Sequence, residues 1–344
     1  MSRSHPPTRR LVLGASAAAL LAGCANDADT TPATGEDAMT LAVGQISDSV
    51  AFFPLFVAEE QGYFTDEGLT LGDRPRLGTG AKLAAAVQSG SIDVAAGVMT
   101  DAFNLYGNNP DARVVGSLVN AYYVDVIAGN SLQVAVDAPL EEKVQALRGR
   151  NIGMTGPGSG TEALLTYLFQ TNGMDPATDA VLVNLGADPS AAIGALQAGR
   201  VDALSFFQPV GQQAEATGVG TILISPGRGD VPALQGAVHG ALFTTQDVLD
   251  RKPDAVAAFL RAIARAEEAI AGDPEQVREL LSGYLGALDP QTAQALVPVL
   301  QEEIPSEPTV TEDAYQVSAD FHRTSGLVPD PPAFAEIVAT DAAG

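Results

Sequence analysis

The stretch Leu147-Arg-Gly-Arg-Asn-Ile-Gly-Met-Thr-Gly-Pro-Gly-Ser-Gly-Thr-Glu-Ala-Leu-Leu-Thr-Tyr-Leu-Phe169 decides the fold. Asn151 to Thr155 is short and apolar, as a buried strand is. Gly156, Gly158 and Gly160 let the backbone approach a ligand with no Cβ in the way. Ser159 or Thr161 caps a following helix whose apolar face is Leu164, Leu165, Leu168 and Phe169. The free N–H groups and positive dipole end of that helix favour an anion or a strong acceptor in the loop. No Lys follows the glycines, which disfavours a nucleotide P-loop, and their spacing misses the dinucleotide pattern. A plain strand-to-helix turn needs the same glycines, so the rest of the chain must decide between cradle and turn.

The design recurs upstream. Thr40 to Ile46 reads as a strand, Ser47-Asp48-Ser49 as the loop after it, and Phe53 to Gln61 as a helix ended by Gly62. Arg76-Leu-Gly-Thr-Gly-Ala81 is a second glycine loop, opening a helix from Ala81 to Ser89. Gly90-Ser-Ile-Asp93 ends that helix, and Val94 to Val98 is a strand with Met99, Thr100 and Asp101 at its carboxyl end. Further strands are read at Val114–Val119, Val124–Ala128, Val181–Asn184, Leu204–Phe207 and Ala237–Thr244. Ala255–Ile270 reads as a long helix, and the segments from Gln276 onward as helices packing on the first lobe. This alternation predicts an α/β protein with parallel sheets covered by helices on both faces. Lys82–Val94 and Ala191–Ala203 are the same unit met twice: a helix, Gln-x-Gly, then an aspartate at a strand start. Two such units imply two similar lobes, and two lobes imply a cleft.

At this point the residues carry a family resemblance. Phe53-Pro-Leu-Phe-Val-Ala-Glu-Glu-Gln-Gly-Tyr-Phe-Thr-Asp-Glu-Gly-Leu69, Gly78-Thr-Gly-Ala81 and Gln88-Ser-Gly-Ser-Ile-Asp-Val94 resemble the nitrate/sulfonate/taurine solute-binding family of ABC importers, which includes binders of thiamine-pyrimidine precursors. Leu147–Gly153, the Gly-Ser-Gly loop, Ala195–Ala203 and Gln208-Pro209 agree in order. The resemblance implies a type II periplasmic-binding-protein fold, two lobes with a ligand cleft and two hinge crossings. It further implies a receptor for a small organic solute, working with ABC permease subunits and a cytoplasmic ATPase.

The start of the chain is a targeting segment. Arg3, Arg9 and Arg10 precede the apolar run Leu11–Leu21, too short to span a bilayer, and Leu21-Ala-Gly-Cys24 has the form of a lipobox. Cys24 is then the lipidated first residue of the mature chain. The Arg pair also suits twin-arginine export, which leaves the export route open. Ala25 to Asp37 is polar and aperiodic, as a tether is. The expected organisation is a signal peptide over residues 1–23, a lipid-anchored tether over 24–38, a first lobe over 39–128 and 237–344, and a second lobe over 129–236. The protein is expected on the extracytoplasmic face of the cell membrane, held by its lipid.

Cys24 is the only cysteine, so neither a disulfide framework nor a thiolate metal site is expected. The net charge of −24 becomes more negative when the three arginines of the signal are removed, and it argues against nucleic acid and anionic lipid as partners. With 46 per cent apolar and 17 per cent charged residues, the body suits a compact α/β protein.

Ligands of open α/β sheets bind outside the carboxyl ends of the strands. That rule, with the adjacent aromatic pairs near those ends, selects Ser47, Asp48, Phe53, Thr79, Gly80, Met99, Thr100, Gly158, Ser159, Gly160, Thr161, Asn184, Phe207 and Gln208 as candidate ligand contacts. In the pairs Phe52/Phe53, Tyr122/Tyr123 and Phe206/Phe207, alternation buries one ring and exposes the other. His239 and His322 stand apart from any cluster, so no metal is expected. Asp93 and Asp202 read as turn residues. An enzyme resembling pyrimidine-precursor synthases is the rival reading, but the missing nucleophile elbow and the lack of any cysteine beyond Cys24 argue against it, so no enzyme is expected; a ligand sensor for a signalling partner is the third reading. No cofactor is expected. The scarcity of Lys and Arg near the cleft suits a sulfonate, carboxylate or polarised carbonyl held by N–H groups, or a heteroaromatic body.

Overall fold

The computed structural model describes residues 38–286 and 288–342. The signal segment, Cys24 and the tether up to residue 37 lie outside the described residues. The strands are β1 (Thr40–Leu41), β2 (Val43–Gln45), β3 (Thr70–Leu71), β4 (Val94–Val98), β5 (Ala112–Val119), β6 (Val124–Gly129), β7 (Asn151–Met154), β8 (Val181–Asn184), β9 (Ala203–Phe207), β10 (Gly220–Ile224) and β11 (Gly240–Thr245). A four-stranded sheet runs β2-β4-β11-β5 and a five-stranded sheet runs β10-β6-β9-β7-β8, with β1 and β3 as a small parallel pair. Among the described residues no helix is long and apolar enough to cross a membrane.

The sheets are mixed, not purely parallel as the alternation predicts. β2 pairs parallel with β4, and β7 with β8 and β9, as strand–helix–strand units must. β11 is antiparallel to β4 and β5, and β6 is antiparallel to β9 and β10. Each of these two strands is the one that arrives from the other sheet, so it enters from the opposite end. Val124–Gly129 therefore belongs to the five-stranded sheet, and the first crossing falls at residues 120–123 rather than near residue 128.

The repeated sequence unit folds the same way twice. The Gly80–Gln88 and Pro189–Gln197 helices are followed by Gly90 and Gly199, with φ of 70° and 64° respectively, the left-handed geometry that lets the chain turn back into a strand. Asp93 Oδ2 then accepts the Ala42 N–H at 2.8 Å, and Asp202 Oδ2 accepts the Asn151 N–H at 2.9 Å. The backbone N–H groups of the same aspartates donate to the carbonyls of Ala42 and Asn151, both at 2.7 Å. Each aspartate thus ties two strand starts together.

The C-terminal helices do not pack on the first sheet alone. In Glu312–Ser325, Phe321 packs its ring against Tyr167 of the second sheet's Gly160–Thr171 helix, centroids 5.1 Å apart. The next residue, His322, bonds Thr100 beside the first sheet at 2.7 Å. Its Nδ1 faces the Ser318 carbonyl at 2.7 Å, so that nitrogen carries the proton and Thr100 donates to Nε2. Burial holds this imidazole down at about 4, neutral at pH 7. Likewise Glu303, at the end of the Pro290–Glu303 helix, accepts from Gln208 Nε2 at 3.2 Å, and its carbonyl accepts the Asn120 N–H at 2.8 Å. Consecutive residues of one helix, and the end of another, therefore grip both sheets beside the crossings.

The two aspartate ties should differ in strength. Asp93 also pairs with Lys252 at 2.9 Å, and both side chains are largely buried. Asp93→Ala strips a strand-start acceptor and leaves a partly buried ammonium, so it should cost about 2–4 kcal/mol in denaturant unfolding, and Asp202→Ala about 1 kcal/mol. Equal costs would show that the Lys252 pair adds nothing.

Candidate functional site

A cleft of about 390 Å³ lies between the two sheets, outside the strand ends. From the first sheet's side it is lined by Ile46, Ser47, Ser49, Phe52, residues 78–81, Val98, Asp101 and Asn104. The second supplies Tyr123, Val124, residues 155–161 and Phe207, and His239 lines the end beside the crossings.

The Thr155–Thr161 loop is held by its own side chains. Thr161 Oγ1 accepts the Thr155 N–H at 3.0 Å and lies 2.8 Å from the hydroxyls of Thr155 and Ser159. Ser159 caps the helix, accepting the Glu162 N–H at 3.3 Å. Gly158, at φ 75°, gives its N–H to Glu162 Oε2 at 2.6 Å. Tyr122 donates to the Gly160 carbonyl at 2.5 Å, and Ser205 to the Thr161 carbonyl at 2.8 Å. From the opposite wall, Asn104 Nδ2 reaches the Gly158 carbonyl at 3.4 Å.

Asp101 is the one carboxylate in the lining. Val98 ends its strand and cannot cap the following Met99–Asn108 helix, so Asp101 folds back and accepts the Val98 N–H on Oδ2 at 3.1 Å. It is 5 per cent exposed, and among the described residues no cation lies within ion-pair distance. Its carboxylate presses on the first turn of the Gly80–Gln88 helix: a Cβ at Gly80 would sit 1.6 Å from Oδ1. Burial pushes this carboxyl up to about 7, against the pull of the Val98 N–H. His239 is 1 per cent exposed, stacks on Tyr122 with ring centroids 3.8 Å apart, and has no partner for Nδ1. Burial, and then His322, drive its pKa well below the ordinary histidine value.

The structure brings Ser47, Thr79, Gly80, Gly158, Ser159, Gly160, Thr161 and Phe207 to the cleft wall. Six candidates lie elsewhere. Met99 and Thr100, at the strand's carboxyl end, open a helix whose first turn folds them into the body, Thr100 toward His322. Phe53 is core, stacked on Phe56, while its neighbour Phe52 faces the cleft. Asp48 stays outside, taken by Arg76 Nε at 2.8 Å and Gln45 Nε2 at 3.1 Å. Asn184 turns back to the Gly186 N–H at 3.0 Å, and Gln208 is spent on Glu303. The candidate contacts leave out Asp101, Asn104 and His239, and of the Tyr122/Tyr123 pair it is Tyr123 that lines the cleft. The signal for Asp101 was a carboxylate at the third position of a helix with no capping side chain.

Residues 33–283 match the NMT1-like family, about three quarters of the chain. The chain belongs to the NMT1-like family. It is 21% identical to YtlA of Bacillus subtilis (strain 168) over 292 residues, covering 83% of this chain and 84% of that one. Among solved structures, a protein of Bordetella bronchiseptica RB50 aligns with a TM-score of 0.75 at 24% identity, over 89% of this chain and 96% of that chain. The alkanesulfonate-binding protein SsuA from Xanthomonas axonopodis pv. citri, bound to MOPS, aligns at 0.70 and 18% identity, over 88% and 98%. The fold of this family member is the periplasmic-binding-protein fold, with the cleft where its two sheets face each other.

The contact between Gly80 and Asp101 sets a test. Gly80→Ala has to displace the carboxylate or the helix start, and should lower stability by about 1–3 kcal/mol in chemical unfolding. Unchanged stability would mean that the carboxylate does not rest there.

Proposed function

We propose that this protein is the solute-binding component of an ABC importer, exported, anchored by lipid on Cys24, and handing a small organic solute to permease subunits driven by a cytoplasmic ATPase. The observation that carries this reading is the 390 Å³ cleft built from both sheets, with apolar walls and a few convergent polar groups. Membership of the NMT1-like family and the likeness to SsuA support it. The Asn104–Gly158 contact spans the cleft, as a latch between closing walls does.

The cleft's chemistry favours an organic body over a small inorganic anion. Ile46, Phe52, Val98, Tyr123, Val124 and Phe207 give it apolar and aromatic walls. Both glycine loops expected to hold an anion already carry a carboxylate of the chain: Glu162 takes the Gly158 N–H, and Asp101 lies against Gly80. The Lys82 N–H is capped by Thr79 Oγ1 at 3.3 Å. Reversible binding with closure, and no turnover, is the receptor's signature.

A thermal-shift screen of sulfonates, pyrimidines, aromatic acids and amines, followed by small-angle scattering with the best hit, tests this. The hit should lower the radius of gyration and be recovered unchanged. Conversion of the hit into product would refute the receptor reading.

A further inference from the structure

We propose that the solute is an organic cation, a protonated amine or an amidinium, whose N–H groups meet the Asp101 carboxylate while its hydrocarbon body lies against Phe52, Tyr123 and Phe207. This rests on the solute-receptor reading and names the chemistry of that same cleft.

Three observations converge on it. First, among the described residues lining the cleft none is Lys or Arg, so an anion would find no countercharge in that lining. Second, carboxylates of the chain itself already lie at both glycine loops, Asp101 against Gly80 and Glu162 on the Gly158 N–H. Third, Asp101 is a nine-tenths-buried carboxylate with one backbone donor, on Oδ2, and no cation partner among the described residues. An anionic solute would set two like charges in a dry site. A cationic one supplies the missing half of an ion pair, in a setting where charge-assisted hydrogen bonds are strong. The amide side chains of Gln88, Asn104 and Asn108 on the same wall offer neutral acceptors for further N–H groups.

The other titratable groups around Asp101 do not compete for this role. Tyr122 and Tyr123 face it, and burial keeps both hydroxyls protonated by raising them further above the ordinary phenol value. His239, on the adjoining wall, is held neutral by burial. Asp101 is therefore the group whose ionisation a bound cation would shift. Burial leaves it about half ionised near pH 7 without ligand, and a cation would hold it ionised. Binding of a cation should then strengthen as pH rises through 7, whereas binding of an anion would weaken.

The test uses charge-matched probes on the purified chain: benzylamine and benzamidine against benzoate and benzenesulfonate, by thermal shift and calorimetry. At pH 8 the two cations should raise the melting temperature and the two anions should not. The cations' dissociation constants should be about 30-fold weaker at pH 5.5 than at pH 8, from one carboxyl titrating near 7. Asp101→Asn keeps an acceptor for the Val98 N–H, and should weaken cation binding by about 30-fold or more and abolish the pH dependence. No shift with either cation, or equal cation binding by Asp101→Asn, would overturn the assignment. Saturable, cleft-closing binding of benzenesulfonate would overturn it too, yet leave the receptor reading standing. Turnover of a probe would instead remove the receptor reading itself.

Discussion

The site depends on one costly contact, the Asp101 carboxylate buried against Gly80 with no positive side chain beside it among the described residues. A carboxyl moved from its ordinary range to about 7 carries a penalty on the order of a few kcal/mol when ionised. The start of the Gly80–Gln88 helix offsets part of that cost, since its dipole presents positive charge to an anion. The sign of the linkage follows. The folded state holds this proton more tightly than the unfolded chain does. Its share of stability is therefore full at acid pH, falls as pH rises from the ordinary carboxyl range toward 7, and stays reduced above it. Such a penalty is what a ligand of the opposite charge can relieve.

The architecture delivers this carboxylate to the cleft by repetition. Asp93 and Asp202 tie strand starts in the two sheets by the same hydrogen bonds, which places two helix starts and two glycine loops face to face. β6 and β11 cross between the sheets and enter each one antiparallel. Beside these crossings, Phe321 touches one side and His322 the other. Glu303 and Asp125 lie buried nearby, burial raising them to about 8 and about 7. The C-terminal helices therefore touch both walls of the cleft.

Much of the fold was legible because glycines and aspartates punctuate it. Gly90, Gly199, Asp93 and Asp202 mark the repeated unit, and the structure shows why each must be what it is. Other features depended on long-range packing that no local pattern carries. Val98-Met99-Thr100 has no capping side chain to announce a helix, so no local pattern shows that Met99 and Thr100 turn away from the strand end into the core. Adjacent rings such as Phe52 and Phe53 differ only in which way a short helical turn points them. His239, an isolated histidine in sequence, reaches the cleft because β11 returns beside β4, a pairing more than a hundred residues apart. The second sheet's claim on Val124–Gly129 is likewise set by pairing with Ala203–Phe207.

The most direct measurement is the titration of the Asp101 carboxyl carbon by NMR in the ligand-free protein, assigned with Asp101→Asn. A midpoint near 7 is the result expected of a buried carboxylate waiting for a positive partner. A midpoint in the ordinary carboxylate range, about 4, would show the group already solvated or paired, and would contradict the account.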